Sequence, residues 1–471
     1  MLSSRRYAPF AAWITGWFNL LGQVAVTTGI TFGCANLIST LAALRGYEGT
    51  AARTLGIFAA LLFSHGVINT FGVRILRYLN NVSIALHSLG IFSYAVAILA
   101  AAPTHRSAKE VFGYFNDGTG LEGYDGWSQR ASPAYVAVVG ILMSQYTITG
   151  KTRTTIHKFC LILTRLSGFD ASAHLSEETR NASVSAPIGV ISSVAISSVF
   201  GFFLILSLLF SIQDFERTVT SEYGQPVLQI LVDIFGVNGA TAMMTLVIVC
   251  VWHCGLFSIT SNSRMMFSFA RDGGIPEFFH HVDAKWQSPI RTVWLAIILA
   301  FLLAVPSLGS EVAFAAATSI ATIGLYISYT IPIFIGLIYP AGFIHGPFTL
   351  GRFSRPVAAI ASTYVAFLTI VFCLPQVNPV NKETLNYTPV AVGIIGLWCF
   401  ASWFLWAKRW FVGPLRQIEA EIAGVNTTDP TAMEAFEKTA SLDHDRNKTA
   451  DHIHHEKSAL AAVAETRRHV D

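Results

Sequence analysis

The sequence is poor in charge and in cysteine for its length. Only 13% of its 471 residues are charged, whereas soluble globular proteins carry about 25%. Its six cysteines lack the spacing of a disulfide framework or a zinc site, so we interpret them as small core residues. Zinc-protease, nucleophile-elbow and phosphate-loop motifs are also absent from the sequence, which argues against an enzyme and gives no reason to expect a cofactor or metal. The formal net charge of +3 gives no reason to expect a nucleic-acid partner.

Long apolar runs dominate the remaining sequence. A membrane-spanning helix needs about 20 mostly apolar residues. Ten stretches qualify: residues 9–44, 54–73, 79–102, 134–150, 186–212, 236–263, 292–308, 312–339, 357–374 and 385–407. The first exceeds one perpendicular span, so we expect it to be tilted or to have an interfacial end. Residues 226–235 form an amphipathic lead-in to the sixth. The sequence therefore predicts an all-α integral membrane protein, with ten transmembrane helices in residues 1–414.

Basic residues predict the orientation, because cytoplasmic loops are enriched in Lys and Arg. Thirteen lie in one set of alternate loops: Arg5, Arg6, Arg74, Arg77, Arg180, Arg271, Lys285, Arg291, Arg352, Arg355, Lys408, Arg409 and Arg416. Seven lie in the other set: Arg45, Arg53, Arg106, Lys109, Arg130, Arg217 and Lys382. The richer side is predicted to be cytoplasmic, with both termini inside. The polar residues 415–471 then form a cytoplasmic C-terminal tail, and the membrane is the plasma membrane or a vacuolar or other organelle membrane.

One polar segment suits a substrate site. Transporters bind their substrates near the bilayer midplane, where helices are broken. In GFDASAHLSEET, residues 168–179, a glycine and an aromatic residue end a helix. Asp170 and His174 lie close to an apolar span, which is costly for ionisable groups unless they are functional. The alternative is that they form a cytoplasmic helix cap with Glu177 and Glu178.

Three segments carry a family resemblance: PFAAWITGWFNLLGQ at residues 9–23, GFDASAHLSEET at residues 168–179, and SNSRMMFSFARDGGIP at residues 261–276. Together they resemble the amino acid–polyamine–organocation superfamily, specifically the fungal amino acid and γ-aminobutyrate permeases, over roughly residues 7–412. The third segment is the most specific, because a span ending in Arg264 is followed by Arg271, Asp272, Gly273 and Pro276.

The resemblance implies a twelve-helix fold of two inverted five-helix repeats, the LeuT or APC type. In that fold the first and sixth helices are unwound and hold the substrate. By resemblance, Asn19 and Gln23 lie on the family's third helix, and Ser258 and Ser261 lie on the eighth. The unwound sixth helix would supply a further set of substrate contacts: Gly150, Gly168, Phe169, Asp170 and Ala171. A cytoplasmic gate or loop would contain Glu177, Glu178, Arg264, Arg271 and Asp272.

The chain departs from the family pattern in two places. Its opening span resembles the family's third helix, so we expect the first two helices to be missing and ten of the twelve to remain. Residues 151–168 interrupt the expected sixth helix with 18 residues, which 54 nucleotides encode. Gly150-Lys151 can be encoded with a splice donor and Ser167-Gly168 with a splice acceptor, so we predict a retained intron; a genuine loop insertion is the alternative. The insert carries Lys151, Arg153, Lys158 and Arg165, which are costly at a bilayer-depth helix break.

The resemblance implies secondary active transport of amino acids or related amines, including γ-aminobutyrate, choline-like amines and polyamines, with a proton as the coupling ion. His87 resembles a position where some relatives carry a titratable residue, and histidine titrates near physiological pH. Asp170 and His253 are further candidates, although a lone histidine in a span can simply bond to a neighbour. The competing hypothesis is a non-transporting truncated permease or a membrane nutrient sensor.

Overall fold

A computed structural model describes residues 7–115, 117–121, 123–145, 181–309, 311–339 and 347–414, together with residues 423–425 and 436. In these residues the regular structure is helical, with two isolated β-bridges. The α-helices are α1 Ala8–Ala43, α2 Ala51–Phe71, α3 Val73–Ala85, α4 Ile91–Ala101, α5 Ala108–Gly113, α6 Trp127–Arg130, α7 Pro133–Gln145, α8 Ala182–Phe210, α9 Phe215–Val219, α10 Pro226–Arg271, α11 Ile290–Ala304, α12 Glu311–Ile338, α13 Ser354–Phe372 and α14 Thr388–Leu405. The helices α1 to α14 belong to one compact unit, residues 1–342 with 350–413, and a second unit comprises residues 343–349 and 414–471.

Nine helical segments of the described residues are long and apolar enough to cross a membrane. They correspond to nine of the ten predicted spans. The tenth prediction, residues 134–150, falls on α7, and its last five residues lie outside the described part of the chain. The all-α membrane fold predicted from the sequence is confirmed.

Helix α1 runs through the interior of the bundle and is much longer than one perpendicular span. Its 36 residues extend about 54 Å at about 1.5 Å per residue, against a hydrocarbon thickness of about 30 Å. Pro9 lies in its first turn, where a missing N–H costs no helical hydrogen bond. Eighteen of its residues are buried, so α1 is a central packing element.

A π-helical turn, Leu86–Gly90, interrupts the third span between α3 and α4. Such turns are rare and frequently occur at functional sites. Helix α3 begins at Val73, six residues before the predicted apolar run. Arg74 and Arg77 end the hydrophobic pattern there, but they do not end the helix.

Helix α10 contains the predicted lead-in as a distinct segment. Gly236 has φ 67° and ψ 177°, so the helix is kinked between the lead-in and the long span. Only glycine adopts this backbone conformation readily. The sequence places the end of the apolar span at Arg264, and the helix itself continues for seven more residues to Arg271. Polar residues near a membrane surface end an apolar run without breaking backbone hydrogen bonds.

Helix packing depends on small residues at close contacts, because apolar side chains gain little by leaving lipid. A Cβ atom at Gly22 of α1 would lie 2.9 Å from Leu325 Cδ2 of α12. An aromatic cluster joins α1, α10 and α14, with Trp13 packed edge-on against Phe411 at 5.0 Å between ring centroids. The indole N–H of Trp13 also donates a 3.1 Å hydrogen bond to Ser402 Oγ. These contacts hold α1 against α12 and α14, and the aromatic cluster also packs α10 against α1.

Candidate functional site

Helices α1 and α10 meet through polar side chains within two long apolar spans. The hydroxyls of Thr27 and Ser258 lie 2.8 Å apart, and Asn262 Nδ2 donates to Thr27 Oγ1 at 3.4 Å. Thr27 and Asn262 are fully buried, and Ser261 is buried beside them. The Asn262 Oδ1 atom has no hydrogen-bond partner among the described residues. A buried acceptor in this condition is available to a polar ligand or a water.

Polar residues recur at every fourth position along α1: Asn19, Gln23, Thr27 and Thr31. This spacing places them along one slowly turning side of the helix. Gln23, Thr27 and Thr31 are buried. The Asn19 Oδ1 and Thr31 Oγ1 atoms are buried and have no hydrogen-bond partner within the described part of the chain. The polar line therefore carries hydrogen-bonding capacity beyond what helix packing uses.

Helix α2 adds two fully buried polar residues, His65 and Asn69. Asn69 Oδ1 accepts from Thr260 Oγ1 of α10 at 2.7 Å, and Asn69 Nδ2 donates to the Leu256 carbonyl at 3.3 Å. The His65 ring packs 5.3 Å from the ring of Trp252. A Cβ atom at Gly255 would lie 2.6 Å from His65 Cε1, so glycine is what lets α2 and α10 approach here.

His87 lies in the π turn and contacts α10. Its Nδ1 is 2.8 Å from the Ser83 carbonyl oxygen, and its Nε2 is 3.5 Å from Cys254 Sγ. A carbonyl only accepts, so Nδ1 carries a hydrogen. In the neutral ring Nε2 is then the acceptor, and the Cys254 thiol donates to it. Protonation of His87 would place a hydrogen on Nε2 and reverse this contact.

His253 adjoins Cys254 in the chain and is buried in α10. Its Nδ1 is 2.9 Å from the Val249 carbonyl, which fixes a hydrogen on that atom. Its Nε2 is buried without a hydrogen-bond partner among the described residues. His253 therefore lies next in the chain to Cys254, the residue that contacts His87, and of the two histidines only His87 joins the third span to α10 by a hydrogen bond between described residues.

Three of the five residues predicted for a cytoplasmic gate or loop, Arg264, Arg271 and Asp272, lie toward one end of α10. Arg264 is inside the helix and only 7% exposed, and its guanidinium donates to Ser263 Oγ at 3.2 Å. Arg271 is the last helical residue and pairs with Asp272 at 3.2 Å. Gly273 follows with φ 80°, a backbone conformation that ends helices.

The remaining predicted site residues lie outside the described residues: Gly150, Gly168, Phe169, Asp170, Ala171, Glu177 and Glu178. The inserted segment 151–168 also lies there. The structure adds five buried polar residues to those predicted from the sequence: Thr27, Thr31, His65, Asn69 and Asn262. Their four-residue spacing in the sequence could have indicated them, because residues four apart lie on the same side of a helix. This spacing relates Thr27 and Thr31 to Gln23, and Asn69 to His65.

Comparison with known proteins agrees with this helical architecture. Residues 2–397 match the family profile described as amino acid permease. The amino-acid permease BAT1 homolog of Oryza sativa subsp. japonica is 39% identical over 439 residues, covering 89% of this chain and 79% of the rice protein. Amino-acid permease BAT1 of Arabidopsis thaliana is 36% identical over 437 residues, covering 89% of this chain and 80% of its own length.

A fission-yeast relative extends the comparison to fungi. An uncharacterized amino-acid permease of Schizosaccharomyces pombe is 28% identical over 424 residues, covering 88% of this chain and 73% of the yeast protein. Relatives therefore occur in plants as well as fungi. With the polar interior of its apolar helix bundle, the chain is not an enzyme but an integral, multi-pass membrane protein, and it belongs to the amino acid permease family of the amino acid–polyamine–organocation superfamily.

Proposed function

We propose that this chain carries amino acids or related amines across a membrane by proton-coupled secondary active transport. The observation that carries the proposal is the contact among Thr27, Ser258 and Asn262, in the interior of a chain from the amino acid permease family. Polar groups are costly within a bilayer unless they are paired or functional. The buried Oδ1 atom of Asn262 retains the capacity to accept a hydrogen bond from a substrate ammonium group.

Four of the sequence-predicted substrate contacts belong to this proposal: Asn19, Gln23, Ser258 and Ser261. Residues 150 and 168–171 complete the proposed site by family resemblance. The mixture of hydroxyl and amide groups suits both ends of a zwitterion, because hydroxyls donate and accept while amides offer each function on separate atoms. Amino acids, γ-aminobutyrate, choline-like amines and polyamines are all included in the substrate class.

Substrate counterflow tests the transport proposal without assuming a coupling ion. The full chain is reconstituted in liposomes preloaded with an unlabelled amino acid mixture, and entry of labelled L-alanine, L-lysine or γ-aminobutyrate is followed. We expect at least one labelled compound to enter faster than into protein-free liposomes. Folded, reconstituted protein without counterflow of any amine or amino acid in a broad panel would favour the nutrient-sensor hypothesis instead.

Proton coupling is assigned to His87 within this proposal. The ring has a fixed neutral tautomer, a thiol partner on the neighbouring span, and a position in a π turn. Protonation reverses the direction of the hydrogen bond with Cys254, which links the charge of His87 to the contact between two spans. His253 and Asp170 remain alternative proton carriers.

Histidine variants test this assignment. His87→Gln and His253→Gln are compared with His105→Gln, an exposed histidine near the end of α4 that serves as the matched control. We expect His87→Gln to flatten the pH profile of uptake between about pH 5 and 8, where histidine titrates, and we expect the control to keep it. A wild-type pH profile in His87→Gln would remove His87 from the coupling mechanism.

The proposed orientation places both termini in the cytoplasm, as the loop charges predict. The paired Arg271 and Asp272 then lie on the cytoplasmic side with Arg264, Glu177 and Glu178. The proposed location is the plasma membrane or an organelle membrane such as the vacuole. We also propose that residues 415–471 form a cytoplasmic tail and that residues 151–168 are a translated intron. A spliced transcript lacking 54 nucleotides, the length that encodes these 18 residues, tests the last point.

A further inference from the structure

A polar cavity lies beside the lead-in of α10, away from the contact of Thr27 with Ser258. Its volume is about 220 Å³, and its lining residues all carry polar groups: Arg217, Thr220, Ser221, Glu222, Tyr223 and Gln229. The volume is below the roughly 300–1,000 Å³ typical of sites for drug-sized ligands. A ligand for this cavity must therefore be small and polar.

Buried hydrogen bonds fix one wall of the cavity. Gln229 is 3% exposed, and its Nε2 donates to Asp233 Oδ1 at 2.8 Å. Its Oε1 accepts from Ser221 Oγ at 3.1 Å, and Ser221 Oγ accepts from the Tyr223 N–H at 3.3 Å. The turn at Gly224, with φ 62°, closes the segment onto α10. This wall is a hydrogen-bonded structure, not a chance meeting of surface side chains.

Charges of both signs meet at the cavity. Arg217 is 63% exposed and lies 3.4 Å from Asp233 Oδ1, while the Asp233 side chain is only 8% exposed. The second carboxylate oxygen, Oδ2, is buried and has no hydrogen-bond partner among the described residues. Glu222 lies exposed at the rim. Arg217, Glu222 and Asp233 together carry a formal charge of −1, which favours a ligand with an ammonium group.

The hydroxyls of the cavity are arranged to accept hydrogen bonds. Thr220 Oγ1 already donates to the Glu216 carbonyl at 2.8 Å, and Ser221 donates to Gln229. Each hydroxyl has one hydrogen and two lone pairs, so acceptor capacity remains on both oxygens. An ammonium group near Glu222 would find these acceptors. Arg217 supplies the donors that a carboxylate requires.

The cavity lies at the end of the bundle that the loop charges predict to be outside the cytoplasm. The Arg106 guanidinium donates to the Ile212 carbonyl at 3.2 Å, which joins the loops after α4 and α8. Arg45 donates to Asn238 Oδ1 at 2.7 Å just beyond the Gly236 kink. The loops after α1, α4 and α8 therefore share one end with the α10 lead-in.

We propose that this cavity is a second, outer binding site for small or basic amino acids. The ligand carboxylate binds Arg217, and its ammonium group binds Glu222 with the hydroxyls of Thr220 and Ser221. Asp233 is a positioning residue that holds Arg217 and Gln229. The surplus negative charge disfavours acidic amino acids, and the polar lining disfavours large apolar side chains. This inference rests on the proposed function in one respect: the ligand is taken to be an amino acid because the chain is proposed to transport amino acids.

Equilibrium binding to the full chain in lipid nanodiscs tests this proposal, with labelled L-lysine, L-alanine and L-glutamate as probes. We expect two saturable components in the wild type, and the order of affinity at the Arg217-dependent one to be lysine, alanine, glutamate. Arg217→Gln and Glu222→Gln are expected to weaken that component at least about tenfold, or about 1.4 kcal/mol. Lys109→Gln removes one exposed charge from a loop predicted to lie on the same side and is the matched control.

The result separates this inference from the proposed function, because counterflow is measured on the same preparations. Binding that depends on Arg217 and Glu222 without counterflow would retain the outer site and refute transport. Counterflow with a single binding component, or with a second component unchanged in both variants, would overturn the outer site and retain transport. Monodisperse elution of each variant establishes that a lost component does not reflect unfolding.

Discussion

At the scale of single residues, Asn69 shows how a buried amide stabilises the contact of two spans. Its side chain donates to the carbonyls of His65 and Leu256 and accepts from Thr260 Oγ1. Asn69→Ala removes these bonds and leaves the Thr260 hydroxyl without its partner on α2. Hydrogen bonds between membrane helices contribute about 0.6 kcal/mol on average and up to about 1.7 kcal/mol. We therefore expect a loss of about 1–2 kcal/mol in the free energy of unfolding, measured in detergent.

The exposed Asn80 of α3 provides the matched control for this prediction. Asn80→Ala removes the same amide from another spanning segment and is expected to change stability by less than about 0.5 kcal/mol, as surface substitutions usually do. Equal losses in the two variants would show that the bonds of Asn69 contribute nothing specific.

Asp117 gives a pH-dependent prediction in the loop between α5 and α6. Partial burial raises the pKa of its carboxyl, but hydrogen bonds from Ser128 and Thr119 outweigh burial and hold that pKa below its ordinary value near 4. A lowered pKa stabilises the fold above the ordinary value, and the contribution is lost as the pH falls through the lowered one. Asp117→Asn is expected to cost about 1 kcal/mol at neutral pH, after allowance for solvent screening.

The free energy of unfolding, measured from about pH 7 down to pH 3, checks the direction of this pKa shift. The difference in that free energy between wild type and Asp117→Asn should narrow only at the acidic end. Asp125→Asn, in the same loop but with an exposed side chain, is the control. A difference that grows as the pH falls would contradict the assigned direction.

At the scale of helices, Gly255 controls how closely α2 and α10 approach. An added methyl group would lie 2.6 Å from His65 Cε1 and 3.1 Å from Thr31 Oγ1. We expect Gly255→Ala to lower the free energy of unfolding by about 1–3 kcal/mol, because overpacking forces neighbouring groups apart. Gly396→Ala is the control on α14, where no described atom lies within 4 Å of the added methyl group. Thermal denaturation of the purified variants should shift only the first; an unshifted midpoint for Gly255→Ala would show that the helices yield without cost.

The kink at Gly236 of α10 requires a backbone conformation that only glycine adopts readily. Alanine is strained at φ 67° and ψ 177°, so Gly236→Ala is expected to cost about 1–3 kcal/mol or to redirect the lead-in. A substitution that redirects the lead-in should also weaken the Arg217-dependent component of amino acid binding, because Gln229 and Asp233 belong to the lead-in. Gly393→Ala on α14 is the control. Thermal denaturation measures the stability of both variants, and equilibrium binding of labelled L-lysine measures the outer site. Wild-type stability and binding in Gly236→Ala would show that the kink has no structural role.

The helices were predictable from composition, but their ends were less so. Apolar runs give most of the described spans to within a few residues, and the sequence also separates the lead-in from the sixth span. Hydropathy ends where charges begin, whereas backbone hydrogen bonds continue through Arg74, Arg77 and Arg264. This difference explains the early start of α3 and the late end of α10. The π turn at His87 has no compositional signal, and in the structure His87 contacts Cys254 of α10.

At the scale of the whole molecule, the site was predictable only in part. Resemblance to the family directed attention to Asn19, Gln23, Ser258 and Ser261, and the structure adds Thr27 as the residue that joins α1 to α10. Which polar residues meet depends on where helices cross, and one sequence does not contain that information. The contact of His87 with Cys254 is another example, because 167 positions separate the two residues.

We propose above that this amino acid permease-family chain moves amino acids or related amines together with protons. The most direct test of this proposal is accumulation of a labelled amino acid in proteoliposomes under an imposed pH gradient, with the interior more alkaline. We expect transient accumulation above the external concentration, abolished by a protonophore and reduced in His87→Gln but not in His105→Gln. Uptake that only equilibrates, and that ignores the gradient and the protonophore, would contradict proton coupling; no uptake of any amino acid or amine by folded protein would contradict transport itself.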